Sequence, residues 1–475
     1  MRRISLVYSI LIGVFMSLLS SCSDSSAKDN KPTDVPPAVT DYQRILESGK
    51  LVVLLENSTN SYFIYRGQKM GYEYEILQEF AKDLGVELEV KTVANMDNIF
   101  DLLDNREGDV VGCNLTVTLD RQKQIDFSIP FIQSPQVIIQ RKAEEGKESE
   151  SKTEFITEPY QLAQKEVHVW ENSSYYQRIQ YLQNEIGDTI YVDAVNGLIG
   201  AEELIERVSQ GIIDYTVVEE DVARINARFY NNIDFSTQIS VKQNIAFGLR
   251  KESTLLKAKL DKWLASFLKS KKHQYIYHKY FEIGVTGHKE EEPVLKLKKG
   301  QISPYDELFK AVAKNSEVSW HLLAAIAHHE SRFNPNAEGF GGAYGMMQFM
   351  PNTGPKYGVY PDSPANVQIA GGMKKLNADL KYWHFIPDIN QRIKFALASY
   401  NAGRGHVVDA HNLSKKHGLN ANVWDGNVEK MMTNLSKQEY YRDEVVKSGS
   451  IRGTMTVKYV QSVFQKFQEW SDAHK

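Results

Sequence analysis

Trp320-His321-Leu322-Leu323-Ala324-Ala325-Ile326-Ala327-His328-His329-Glu330-Ser331-Arg332-Phe333-Asn334-Pro335 sets the architecture of the C-terminal third of the chain. Ser319 just before it suits a helix N-cap, and Leu322, Leu323, Ile326 and Ala327 form an apolar stripe that Glu330 extends one turn past Ile326. A carboxylate thus ends a core-facing stripe. Burial there disfavours the charged form, which lets a glutamate keep a proton near neutrality and donate it. Asn334 before Pro335 stops the helix. A single glutamate at a helix end is usually solvated or capping, so its neighbours decide its role. His328 and His329 invite a metal, but a His-Glu-x-x-His site needs histidine where Phe333 stands. One histidine is expected to pack and the other to face solvent, with no metal and no cofactor.

Downstream, Gly339-Phe340-Gly341-Gly342-Ala343-Tyr344-Gly345 is a turn whose backbone can approach a ligand closely. It is no phosphate loop, because no lysine and hydroxyl follow in the required places. Met346-Met347-Gln348-Phe349-Met350-Pro351 then offers an amide between apolar residues, suited to bonding a sugar while packing on its faces. Ile393 to Ser399 is helical and runs into Tyr400-Asn401-Ala402-Gly403, with Gly403 as its C-terminal cap.

Glu330-Ser331-Arg332-Phe333-Asn334-Pro335, Gly342 through Pro351, and Ala398-Ser399-Tyr400-Asn401-Ala402-Gly403 together resemble the lytic transglycosylase domain with a goose-type-lysozyme-like fold. The resemblance implies a mainly α domain at 301–475, with Glu330 as the single acid/base and Gln348, Met350, Tyr400 and Asn401 at the sugar. It further implies cleavage of the MurNAc-GlcNAc β-1,4 bond of peptidoglycan without water, leaving 1,6-anhydro-MurNAc ends. Glycosidases ordinarily use two carboxylates. Two alternatives stay open at this point: lysozyme-type hydrolysis helped by Glu338 or Asp362, and a non-catalytic receptor for wall peptides. The sequence departs from the family at Gly339, where a serine is common. Leu435-Ser436, Tyr440-Tyr441 and Ile451-Arg452-Gly453 also resemble the group. Trp320, Tyr382, Trp383 and Trp424 are read mainly as core.

Upstream, Leu51 to Leu55 reads as a buried strand and Ile76 to Leu84 as a helix with Ile76, Phe80 and Leu84 on one face. Val110-Val111, Gln136 to Gln140, Val167 to Trp170 and Tyr215 to Val218 continue an alternation of strands and helices, which predicts an α/β architecture with mainly parallel sheets. Gly71-Tyr72-Glu73-Tyr74-Glu75, Leu115-Thr116-Val117-Thr118-Leu119-Asp120-Arg121 and Ile125-Asp126-Phe127-Ser128-Ile129-Pro130-Phe131 resemble the periplasmic solute-binding proteins of the polar amino-acid type. The resemblance implies two lobes over 41–285, with Phe247 to Lys251 and the helix Leu255 to Leu268 returning to the first. It implies that Arg121 grips a carboxylate, with Thr116 beside it, and that Glu219 receives an ammonium group where the family commonly has Asp. The ligand class is an amino acid or a muropeptide stem. Otherwise, Arg121 pairs with Asp120 or Asp126 at the surface and Glu219 is solvated. Tyr62, Phe63 and Tyr65 wall the cleft or belong to the core.

Domain count follows from length: 475 residues exceed one ordinary core. A hydrophobic share of 42% with 24% charged residues suits a globular body, and a net charge of -4 with mixed signs argues against nucleic acid as a partner. Arg2 and Arg3 precede an apolar stretch from Ile4 to Leu19, a signal-peptide core shorter than a spanning helix. Leu19-Ser20-Ser21-Cys22 resembles the bacterial lipobox, which implies removal of 1–21, lipidation of Cys22, and a membrane partner. The alternative is ordinary secretion. The expected location is the outer membrane, facing the periplasm, with 22–40 as a polar tether. Cys113 is expected to be a buried thiol. Ala143 to Glu154 reads as a polar loop, and 286–300 as a charged linker.

Overall fold

The computed structural model describes residues 40–142, 154–283 and 300–473. The signal peptide, Cys22, most of the tether and nearly all of the polar loop and the linker lie outside the described residues. Among the described residues, no helix is long and apolar enough to cross a membrane.

Order begins where Thr40 caps the helix Asp41–Ser48 through a reciprocal pair with Gln43. The strand Lys50–Glu56 follows and lies between Glu87–Val93 and Val110–Gly112, parallel to both. The run expected as a strand is therefore the centre of the first sheet, where burial on both faces explains its unbroken apolar character. Gly248–Leu249 runs antiparallel beside Val110–Gly112, and Asp126–Phe127, antiparallel to Gly248–Leu249, runs with the first three strands. The second lobe's sheet has Glu166–Trp170 parallel to Tyr191–Val195 and to Thr216–Glu219, then Gln136–Arg141 reversed, and Ile233–Asp234 antiparallel to that strand and so running with the first three. The sheets are thus mainly parallel in strand direction, as expected, with one strand of each reversed. The reversed strands are those next to the lobe crossings, where Ile132–Ser134 pairs with Gln243–Ile245. A chain that crosses and returns must enter each sheet from the opposite end.

The return is anchored in the first lobe. Arg250, 1% exposed, bonds Asp41 at 3.0 Å and the carbonyls of Leu103 and Gly108. The helix Thr254–Phe267 then buries Leu256, Leu260 and Leu264 against that lobe. Cys113 is buried and unpaired beside the Leu54 carbonyl.

The C-terminal part is helical. Ser319 caps Trp320–Ser331 by accepting from the His321 N–H, as its position suggested. The helix ends at Ser331, short of Pro335, because Arg332 and Phe333 both take left-handed backbone. Ala365–Tyr382, Ile389–Ala402, Arg404–Lys416 and Gly453–Ala473 enclose a core that includes Trp383 and Trp424, both buried as expected. The last helix packs against Trp320–Ser331 and Ile389–Ala402. Ala343 and Met350 of this half belong to the apolar cluster of the first lobe, so the described residues from Thr40 onward hold together as one body.

Candidate active site and ligand cleft

Glu330 leaves the last turn of its helix with a side chain only 3% exposed. Its Oε1 accepts from the Tyr459 hydroxyl at 2.9 Å, and its Oε2 from Arg66 Nη2 at 2.8 Å. Tyr459 comes from the C-terminal helix, Arg66 from the turn between the strands Phe63–Tyr65 and Gln68–Met70 of the first lobe. A second Arg66 nitrogen donates to the Gln348 carbonyl at 2.9 Å. A guanidinium bonded to the carboxylate in this way occupies an oxygen that would otherwise face a substrate. Burial opposes the charge on Arg66, but the Glu330 charge and hydrogen bond together with the Tyr65 and Tyr459 phenols hold the guanidinium's proton more firmly than usual. The carboxylate that ends the apolar stripe is paired with Arg66. The stripe itself is real; its terminal carboxylate has found a cation from another domain.

Tyr400 is buried, donates its hydroxyl to the Met347 carbonyl at 3.2 Å, and has Lys375 Nζ 3.8 Å from its ring centroid. Burial and then the Glu330 charge push its phenol well above the usual range, which puts it in the same electrostatic neighbourhood as Glu330. Asn401 accepts from Thr456 at 2.9 Å and borders the same cavity as Tyr459 and His329. Gln348 has a left-handed backbone and donates its amide to the carbonyls of Ala337 and Gly345. Its Oε1 would lie 1.8 Å from a Cβ at residue 339. Glycine there gives the amide oxygen the space that the family's serine would fill. Met350, expected at the sugar, is 2% exposed and packs in the first-lobe cluster. Glu338 and Asp362 are both exposed, on a short strand and a loop respectively. Neither bonds to Glu330.

His328 packs against Phe333 and Trp470 and is bonded by Arg332 at 2.8 Å. Burial first, then Arg332, lowers its pKa to about 4. His329 is exposed to the cavity and meets Tyr459 edge-on.

In the binding domain, Arg121, Glu219 and Trp170 line one cleft between the lobes, with Thr116 bonded to both Arg121 and Glu219. Arg121 donates to the Thr116 carbonyl at 3.0 Å, while Asp120 pairs with Lys123, so the surface-pair reading of Arg121 falls. Glu219 is 1% exposed, so the solvated reading falls too. It accepts from Thr116 at 2.7 Å and from Tyr175, and burial followed by the Asp221 charge raises its pKa to about 8. The cleft holds only 60 Å³, against roughly 300 Å³ or more for a ligand pocket. The lobes must part to admit a ligand.

Phe63 and Tyr65 do not wall that cleft. Phe63 stacks on Phe340 of the catalytic half at 6.0 Å and Tyr65 meets the same ring edge-on at 5.3 Å, while Tyr62 packs on Tyr74. Their hairpin carries Arg66 to Glu330, and Gly403 permits it: a Cβ there would lie 2.8 Å from the Gly67 nitrogen. A second tie joins Glu202 of the second lobe to Arg452, which also donates to Asn226 at 2.8 Å. Glu202 accepts from the Thr59 N–H of the first lobe at 2.8 Å and borders both the ligand cleft and the cavity between the domains.

These features define a modular protein in which a solute-binding domain is docked on a lysozyme-like catalytic domain. The family model for bacterial extracellular solute-binding proteins, family 3, matches residues 51–283, and that for the transglycosylase SLT domain matches 307–422. The chain is 31% identical over 431 residues to membrane-bound lytic murein transglycosylase F of Desulfosudis oleivorans, covering 89% of this chain and 92% of that one. It is 30% identical to the protein of the same name from Saccharophagus degradans, over 91% and 84% of the two chains. Among solved structures, an ancestral arginine-binding protein bound to arginine is 25% identical, with a TM-score of 0.42, over 49% of this chain and 98% of that one. The chain belongs to the membrane-bound lytic murein transglycosylase F family.

Proposed function

We propose that this protein is a peptidoglycan lytic transglycosylase in which Glu330 is the acid/base and the binding domain restrains it until a wall-derived ligand arrives. The observation that carries the reading is the buried Glu330 bonded by Tyr459 and electrostatically close to Tyr400, with Tyr459 and Asn401 on one cavity and no second carboxylate bonded to Glu330 among the described residues. Once Arg66 withdraws, a protonated Glu330 gives its proton to the glycosidic oxygen, which leaves as the GlcNAc hydroxyl. The C6 hydroxyl of the same MurNAc attacks C1 and passes its proton to Glu330, restoring the acid and closing a 1,6-anhydro ring. Water is not consumed, so one carboxyl suffices for both transfers.

Support for restraint is the Arg66 ion pair, which occupies the catalytic carboxylate with a residue of the binding domain. Support for a ligand with a carboxylate and an ammonium group is the pairing of Arg121 with Glu219 in one cleft. Lipidation of Cys22 and attachment to the outer membrane complete the reading, on the strength of the lipobox-like segment. Mass spectrometry of digested peptidoglycan tests the chemistry: anhydro-muramic products are expected, and reducing ends in their place would overturn it. Glu330→Gln should lower turnover by about 10²–10⁴-fold. Fractionation of wild type and Cys22→Ala tests the anchor.

A further inference from the structure

The cavity between the two domains measures 1010 Å³ and contains a cation that the catalytic scheme does not use. Arg228 follows the second-lobe helix Glu220–Asn226, and its guanidinium lies 5.2 Å from the ring centroid of Phe340 in the catalytic half. All three of its nitrogens are shielded from water and have no hydrogen-bond partner among the described residues. The other arginines that line it are matched: Arg66 with Glu330, Arg207 with Glu203, Arg452 with Glu202. A buried guanidinium without an anion is costly. Burial, then the Arg224 charge, accordingly loosens its proton to a pKa of about 10. A ligand carboxylate reaches this planar fork once the Arg228 side chain turns from Phe340 toward the cavity, where the guanidinium can form two parallel bonds to it. Phe229 and Phe340 give the adjoining wall an apolar surface, and the far end reaches Asn401 and Tyr459. A cavity of this size takes a short peptide and is far larger than a lone small anion needs.

We propose that this cavity is a second ligand site, separate from the cleft between the lobes, in which Arg228 binds a carboxylate of a short peptide. That the peptide is wall material rests on the function proposed above; the carboxylate chemistry does not. Two sources share it, a stem still attached to glycan and a released muropeptide.

The test is calorimetric titration of the full-length protein carrying Arg121→Gln, which removes the carboxylate grip of the other cleft. Titrants are a muramoyl tetrapeptide, the same compound with its carboxylates amidated, and a short glycan bearing stems. Saturable binding of the tetrapeptide is expected, weakened at least tenfold by adding Arg228→Met and equally by amidation. Tighter binding of the stem-bearing glycan assigns the attached source, and tighter binding of the free compound the released one. Unchanged affinity after Arg228→Met, or no binding to Arg121→Gln at all, overturns the proposal. Arg228→Met alone should melt no lower than wild type, since it removes an unpaired charge and keeps the packing stem. A fall of several degrees would mean that the guanidinium serves the fold. Binding is read without turnover, so a protein that yields reducing ends defeats the proposed chemistry and leaves this result standing.

Discussion

Arg66 and Glu330 show how one contact can outweigh the local logic of a sequence. Glu330 ends an apolar stripe, yet a guanidinium from another domain bonds its carboxylate at 2.8 Å. Removing Arg66 frees the carboxylate for proton transfer and uncovers it. Arg66→Ala should therefore raise lytic turnover in the absence of ligand, by about 5–150-fold if the restraint is worth an ordinary coupling energy. It should also make turnover insensitive to added wall peptide. Release of anhydro-muropeptides measured with and without peptide checks both. Equal or lower basal turnover in the variant would show that the contact positions Glu330 and does not restrain it. Arg66→Lys keeps the charge but lacks the fork that spans Glu330 and the Gln348 carbonyl, and should fall between the two.

The elements that tie the domains are the hairpin bearing Arg66 and the Arg452 segment before the last helix. Glu202 is bonded from the first lobe by Thr59, sits on the second, and pairs with Arg452 of the catalytic half. Parting of the lobes must strain that junction, which makes it a physical route from the cleft to the enzyme. In a double-mutant cycle, Glu202→Gln and Arg452→Gln should each raise ligand-free turnover, and the double variant should exceed neither. The interaction energy should be about 0.5–3 kcal/mol. Additive effects would remove the pair from the route. Much of this architecture was readable beforehand where local chemistry decides it. Ser319 and the stripe to Ile326 defined the catalytic helix, and the apolar run at Leu51 to Leu55 defined a central strand. Which strand of each sheet is reversed was not readable, because a short apolar run is the same sequence either way up. Arg66 stands in a Tyr65-Arg66-Gly67-Gln68 turn that reads as any hairpin, and Tyr459 is one ring in an amphipathic helix. Both act only across long sequence separations. Met350 could not be told from core by type, and core is what it is.

For the molecule as a whole, the buried acids of the binding domain give stability a pH dependence of definite sign. Burial is the largest cause for each: Glu73 and Glu219 rise to about 8, and Glu56 to about 7. These folded values exceed the ordinary 4.5, so between 4.5 and 8 the native state binds more protons than the unfolded chain. Their stabilising contribution is complete below 4.5 and is lost as the pH rises through the folded values. His406, buried with its pKa lowered to about 4, acts the other way, and only between 4 and 6.5. Below 6.5 the two trends oppose each other; above it the carboxyls act alone among these groups. Urea denaturation of the ligand-free protein should therefore show a midpoint that falls from pH 6.5 to 8, with up to about 2 kcal/mol lost per carboxyl. Glu219→Gln should flatten the slope, because an amide has no proton to lose. A ligand whose ammonium group takes the place of that proton should bind more tightly as the pH rises toward 8. A midpoint that holds level or climbs over this range would mean that these acids are already ionised in the fold, with cations or water reaching them that the closed cleft does not provide.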